Sequence, residues 1–111
     1  MRGDCFEAAF GAQIEDSTWT LVHGVATGGP TGDMRISHAW VEREGIVYDN
    51  ACGRDRTLPR ELYYRVGRIR DDQCRRYTAD EAAEQALTTG HYGPWHDCPG
   101  IGIEAGTEVE T

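Results

Sequence analysis

Residues 36–49, Ile-Ser-His-Ala-Trp-Val-Glu-Arg-Glu-Gly-Ile-Val-Tyr-Asp, constrain this chain more than any other stretch. Two runs rich in β-branched and aromatic residues flank a short polar turn containing Gly45, the pattern of a β-hairpin. A two-residue loop of Glu44 and Gly45 sets Arg43 opposite Ile46, Glu42 opposite Val47, Val41 opposite Tyr48 and Trp40 opposite Asp49. Side chains alternate along a strand, so His38, Trp40 and Glu42 share a face, and this register adds Val47 and Asp49 to it. Asp49 then lies diagonally across from His38, where a carboxylate can hold an imidazole in one tautomer. A three-residue turn would slip the pairing and send Asp49 to the other face.

An oriented histidine needs a nucleophile, and the start of the chain offers one. Cys5 sits in Gly-Asp-Cys-Phe-Glu-Ala-Ala-Phe, where Asp4 and Glu7 have capping-box spacing. Cys5 becomes the first helical residue. Unpaired backbone N–H groups and the positive end of the helix dipole favour a thiolate there, and a nearby imidazolium favours it further. The chain order is therefore Cys, His, Asp. His23 is the second candidate base, but no strand ending in a carboxylate follows it, so a structural role is expected. The alternative for Cys5 is a small buried residue on the helix stripe.

Cys5 opening a helix, His-Ala-Trp-Val-Glu from His38 and Val-Tyr-Asp ending at Asp49 together resemble the transglutaminase-like and papain-like cysteine enzymes. Arg2-Gly3 followed by Cys5-Phe6-Glu7 is similar, with one residue fewer, to the nucleophile motif of the arylamine N-acetyltransferases. The resemblance covers roughly the first half of the chain and implies an α+β fold. That fold is a small papain-like core, with an N-terminal helix carrying the cysteine packed on an antiparallel sheet and two further helices. It also implies acyl transfer by Cys5, His38 and Asp49 without a cofactor, with hydrolysis of an amide, peptide or isopeptide first and transamidation or acyltransfer behind it. The substrate would be a peptide, a protein or a small acyl compound. Trp40, on the His38 face, and Cys52 and Arg54, just beyond Asp49, are candidate substrate contacts. The glutamine that often precedes the nucleophile in papain-like enzymes has no counterpart. A non-catalytic protein-binding module on the same scaffold is the rival reading.

At 111 residues the chain makes one domain, expected over 1–98, with a Gly-rich acidic tail over 99–111 expected to be disordered. Eleven basic against nineteen acidic residues, a net charge of −8, argue against nucleic-acid or anionic-membrane partners. The start lacks the apolar stretch of a signal peptide, and no segment approaches the length of a membrane span, so a cytoplasmic location is expected. There the four cysteines are expected as free thiols. His91, His96 and Cys98 could join Cys52 or Cys74 around zinc, but no tight Cys-x-x-Cys pair exists, so no metal is expected.

In chain order, the first helix is expected over residues 5–14, with Phe6, Ala9, Phe10 and Gln13 on its buried stripe. A strand follows over 19–27, with Gly24 marking a bulge or a close approach. Residues 28–33 form a turn-rich connection and 50–56 an irregular segment. A helix is expected over 57–66, with Pro59 in its first turn, Gly67 as its stop and Leu58, Leu62, Tyr63 and Val66 inward. A strand near 74–77 carries Arg75 and Arg76. Thr78 and Glu81 form a second capping box, opening a helix that Gly90 ends, with Ala79, Ala82, Ala83, Ala86 and Leu87 inward. Tyr92 and Trp95 are expected to fold back onto the core.

Overall fold

The structure, a computed structural model, describes residues 4–28, 34–51 and 55–95. It is an α+β fold with the order α1 (Asp4–Glu15), β1 (Thr20–Gly28), β2 (Met34–Arg43), β3 (Ile46–Asp49), β4 (Arg56–Pro59), α2 (Arg60–Gly67), β5 (Arg75–Tyr77) and α3 (Ala79–Thr89). The strands form one antiparallel sheet in the order β4-β3-β2-β1-β5. α1 and α3 pack on one face, where Phe6, Ala9, Leu21, Val41, Tyr77 and Ala82 are buried together. α2 covers the other, over Val22, Ala26, Trp40, Val47 and Ile69.

The hairpin has the expected register: Val41 faces Tyr48, Glu42 faces Val47 and Arg43 faces Ile46. Glu44 (φ 53°) and Gly45 (φ 79°) both take positive φ, the geometry of a tight primed turn whose twist matches the flanking strands. Among the described residues β3 pairs with β2 only from Val41 to Arg43, so the ten-residue β2 outruns its neighbour. The chain turns away there toward α1, and Asn50 Nδ2 donates to the Ala8 carbonyl at 3.1 Å. The mouth of α1 is thereby brought against the uncovered part of the β2 edge.

Local chemistry accounts for most element bounds. α1 buries Phe6, Ala9, Ala12 and Gln13, and the Gln13 amide donates to the Trp19 and Tyr77 carbonyls (3.0 and 3.1 Å), tying its last turns to β1 and β5. Whether Asp4 caps α1 lies outside the described side chains. α3 has the expected capping box between Thr78 and Glu81 and a left-handed Gly90 at its end. Gly24 marks a close approach rather than a bulge: a Cβ there would stand 2.8 Å from the Trp40 ring and 3.0 Å from Cys74 Sγ.

Four expectations are corrected. Residues 57–59 are not helical; with Arg56 they form β4, pairing with the free edge of β3, and Pro59 sits at the outer edge where no ladder N–H is needed. The helix therefore starts at Arg60, and its left-handed terminus is Arg68 rather than Gly67. Its buried side is also narrower than expected, because Tyr63 alone is buried while Leu62 and Val66 are exposed. In α3 only Ala82 is buried and Leu87 is largely exposed. Residues 29–33 and the tail from 96 onward lie outside the described residues. No described helix is long and apolar enough to cross a membrane.

Candidate active site

Three chain segments meet where β2 outruns β3. β2 supplies His38, the last residue of β3 supplies Asp49, and the first turn of α1 supplies Cys5. His38 Nε2 lies 2.9 Å from Asp49 Oδ2. An ionised carboxylate only accepts, so Nε2 carries the proton and donates it. Cys5 acts on the same imidazole, raising its pKa through hydrogen bonding and charge, which puts the thiol within reach of the ring. Cys5 is 7% exposed and packs beside Phe6 and Ala51. It is at once a core residue and a neighbour of the imidazole.

Asp49 is 1% exposed and takes up four donors. Besides His38, its Oδ2 accepts from the Tyr63 hydroxyl at 2.6 Å and from Arg56 Nη2 at 3.3 Å, while Oδ1 accepts from the Ala51 backbone N–H at 2.9 Å. Burial disfavours the charged acid, but the bonds from His38, Tyr63 and Ala51 outweigh it and lower its pKa to about 2. Burial likewise opposes charge on His38. The bonds to Asp49 and Cys5 win, and its pKa rises to about 9. Tyr63 stays a phenol, because burial and the adjacent Asp49 charge push its ionisation well above the usual range.

Trp40, expected to touch substrate, is instead fully buried. Its indole packs against His38 (ring centroids 5.9 Å) and Tyr63 (5.3 Å), two of the side chains that grip Asp49. It is itself fixed by Glu42 Oε2, which accepts from its Nε1 at 2.8 Å and from the Tyr64 hydroxyl. Arg60 Nε reaches Glu42 Oε1 at 3.2 Å. Trp40 thus props the site from behind, since a side chain with no exposed surface offers a ligand nothing to touch. Cys52 and Arg54 lie outside the described residues.

Tyr63 and Arg56 are partners of Asp49 that sequence reasoning missed. Arg56 could have been found by recognising β4, since the ladder places it opposite Asp49. Tyr63 gave no local signal beyond its place on a helix. His23 is fully buried among Phe6, Tyr77 and Trp95, with ring centroids 4.8–5.0 Å away, which removes it from the candidate bases. Trp95 and Tyr92 both pack on Phe10, so the chain does fold back as expected. Cys5 and Cys74 are free thiols, and burial raises the Cys74 pKa to about 11. Among the described residues no group of three or more His, Cys, Asp or Glu side chains could hold a metal.

The arrangement pairs a thiol with a basic imidazole whose far nitrogen is fixed by a buried carboxylate, a layout suited to nucleophilic acyl chemistry. Compared with models of known protein families, with curated proteins and with solved structures, the chain matches none.

Proposed function

We propose that this protein is a cysteine-dependent acyl-transfer enzyme that hydrolyses an amide. One observation carries the reading: a single imidazole, His38, is bonded to buried Asp49 through Nε2 at 2.9 Å and also interacts with the Cys5 thiol. The order of a cysteine at a helix mouth followed by histidine and aspartate on successive strands supports a transglutaminase-like or papain-like core. Cys5 thiolate attacks the carbonyl carbon. The oxyanion is received by the first-turn N–H groups of α1, which have no partner within the helix. His38 gives its proton to the leaving amine and later takes one from the water that hydrolyses the thioester. Asp49 orients His38 and stabilises its charged form.

Alkylation by iodoacetamide at pH 7, mapped by mass spectrometry, tests this. Cys5 should react well ahead of Cys74 and the other cysteines, His38→Ala should abolish that preference, and an activated ester such as p-nitrophenyl acetate should leave one acyl group on Cys5. Uniform cysteine reactivity would overturn the reading and favour a binding module.

A further inference from the structure

A groove of about 260 Å³ opens beside His38 on the α2 face of the sheet. Ile36, Leu58, Val66 and Ile69 give it apolar walls, and Tyr63 also lines it. Among the described residues lining it, His38 and Arg56 alone carry formal charge. Arg56 leans on Asp49 but keeps more than half of its side chain in solvent (57% exposed), so its guanidinium has donors to spare for a ligand. The volume suits one side chain of leucine to phenylalanine size.

The side of the site on which the groove lies indicates which half of a substrate enters it. Cys5 does not line it, whereas His38 does. The carbonyl carbon must reach the sulfur, and the leaving nitrogen must reach the imidazole that protonates it. A pocket that the imidazole lines and the sulfur does not therefore receives the leaving-group half.

We propose that this groove binds the C-terminal apolar residue of a peptide, its side chain between Ile36, Leu58 and Val66 and its free α-carboxylate on Arg56. The assignment rests on the acyl-transfer reading and names its substrate class. In the reaction the Cys5 sulfur bonds to the carbonyl carbon of the last peptide bond. The C–N bond breaks with its electron pair going to nitrogen, which takes the His38 proton, and a free apolar amino acid leaves. Water then adds to the thioester and gives its proton to His38, the C–S bond breaks, and the shortened peptide departs.

The test compares hydrolysis of N-benzoyl-glycyl-phenylalanine with that of its C-terminal amide, following release of phenylalanine or its amide. The free acid should be preferred by about tenfold or more in kcat/KM, the scale of one charge-assisted contact. Arg56→Gln should reduce that preference to near unity and Arg56→Lys should restore part of it. Val66→Glu, at an exposed rim position, should depress turnover of the acid more than of the amide. Iodoacetamide labelling of Cys5, run on every variant, separates the two ideas. Equal turnover of acid and amide, no turnover of either, or an unchanged preference in Arg56→Gln overturns the groove assignment even if Cys5 labels selectively. Loss of selective labelling in the unmodified protein overturns the acyl-transfer reading itself, and this assignment with it.

Discussion

The Tyr63 hydroxyl lies 2.6 Å from Asp49 Oδ2, the same oxygen that accepts from His38. With Arg56 Nη2 at 3.3 Å, three donors from three elements share this oxygen, and each weakens the hold of the others. Tyr63→Phe removes one of them without changing the ring. Leaving a buried carboxylate one donor short should cost about 1–3 kcal/mol of stability, measurable by urea unfolding. Asp49 should then bind His38 more strongly, so the His38 titration midpoint, followed by NMR, should move up. A downward shift would mean that the phenol does not compete for that oxygen.

Asp49→Asn should act in the opposite direction on the histidine. With the carboxylate gone, burial is opposed only by Cys5 among the main influences, and the His38 pKa should fall from about 9. Acylation of Cys5 by p-nitrophenyl acetate at pH 7 should slow by about 10²–10⁴-fold, the usual scale of a positioned acid–base.

Stability should be greatest between about pH 4 and 6.5. The folded pKa of His38 is raised from 6.5 to about 9, so its contribution is complete below 6.5 and is lost as the pH climbs through 9. The folded pKa of Asp49 is lowered from 3.8 to about 2, so its contribution is present above 3.8 and is lost as the pH falls through 2. Counted once as a pair, these groups should supply on the order of 2–3 kcal/mol at the plateau. Urea midpoints across pH 2–10 should trace both limbs, and His38→Gln should flatten the alkaline one.

Gly24→Ala should disturb the site from behind. The added methyl would stand 2.8 Å from the Trp40 ring, and the fully buried indole has no room to retreat. A loss of about 1–3 kcal/mol is expected from this overpacking. Because Trp40 packs on both His38 and Tyr63, the selectivity of Cys5 alkylation should fall as well. Unchanged labelling would separate the indole from the site.

The hairpin was legible because its determinants are local: period-two side chains and a two-residue turn fix both register and face. The α3 capping box and its terminal Gly90 were legible for the same reason. β4 was not, since Arg-Thr-Leu-Pro carries little strand signal and exists as a strand only because β3 offers it an edge. Missing β4 also hid Arg56, whose place opposite Asp49 follows from the ladder alone. Tyr63 reaches Asp49 only through the way α2 lies over the sheet, which no window of sequence around either residue encodes. Trp40 read correctly as a neighbour of His38 but not as a buried one, because alternation assigns a face without saying how deeply another layer covers it.

The short β3 leaves a gap at the sheet edge, and sulfur, imidazole and carboxylate are neighbours only once the opening helix has filled it. A chain still emerging from synthesis, with residue 49 not yet joined to residue 5, would carry an ordinary thiol. The neighbourhood of this thiol is thus a property of the completed domain and of no shorter piece of it.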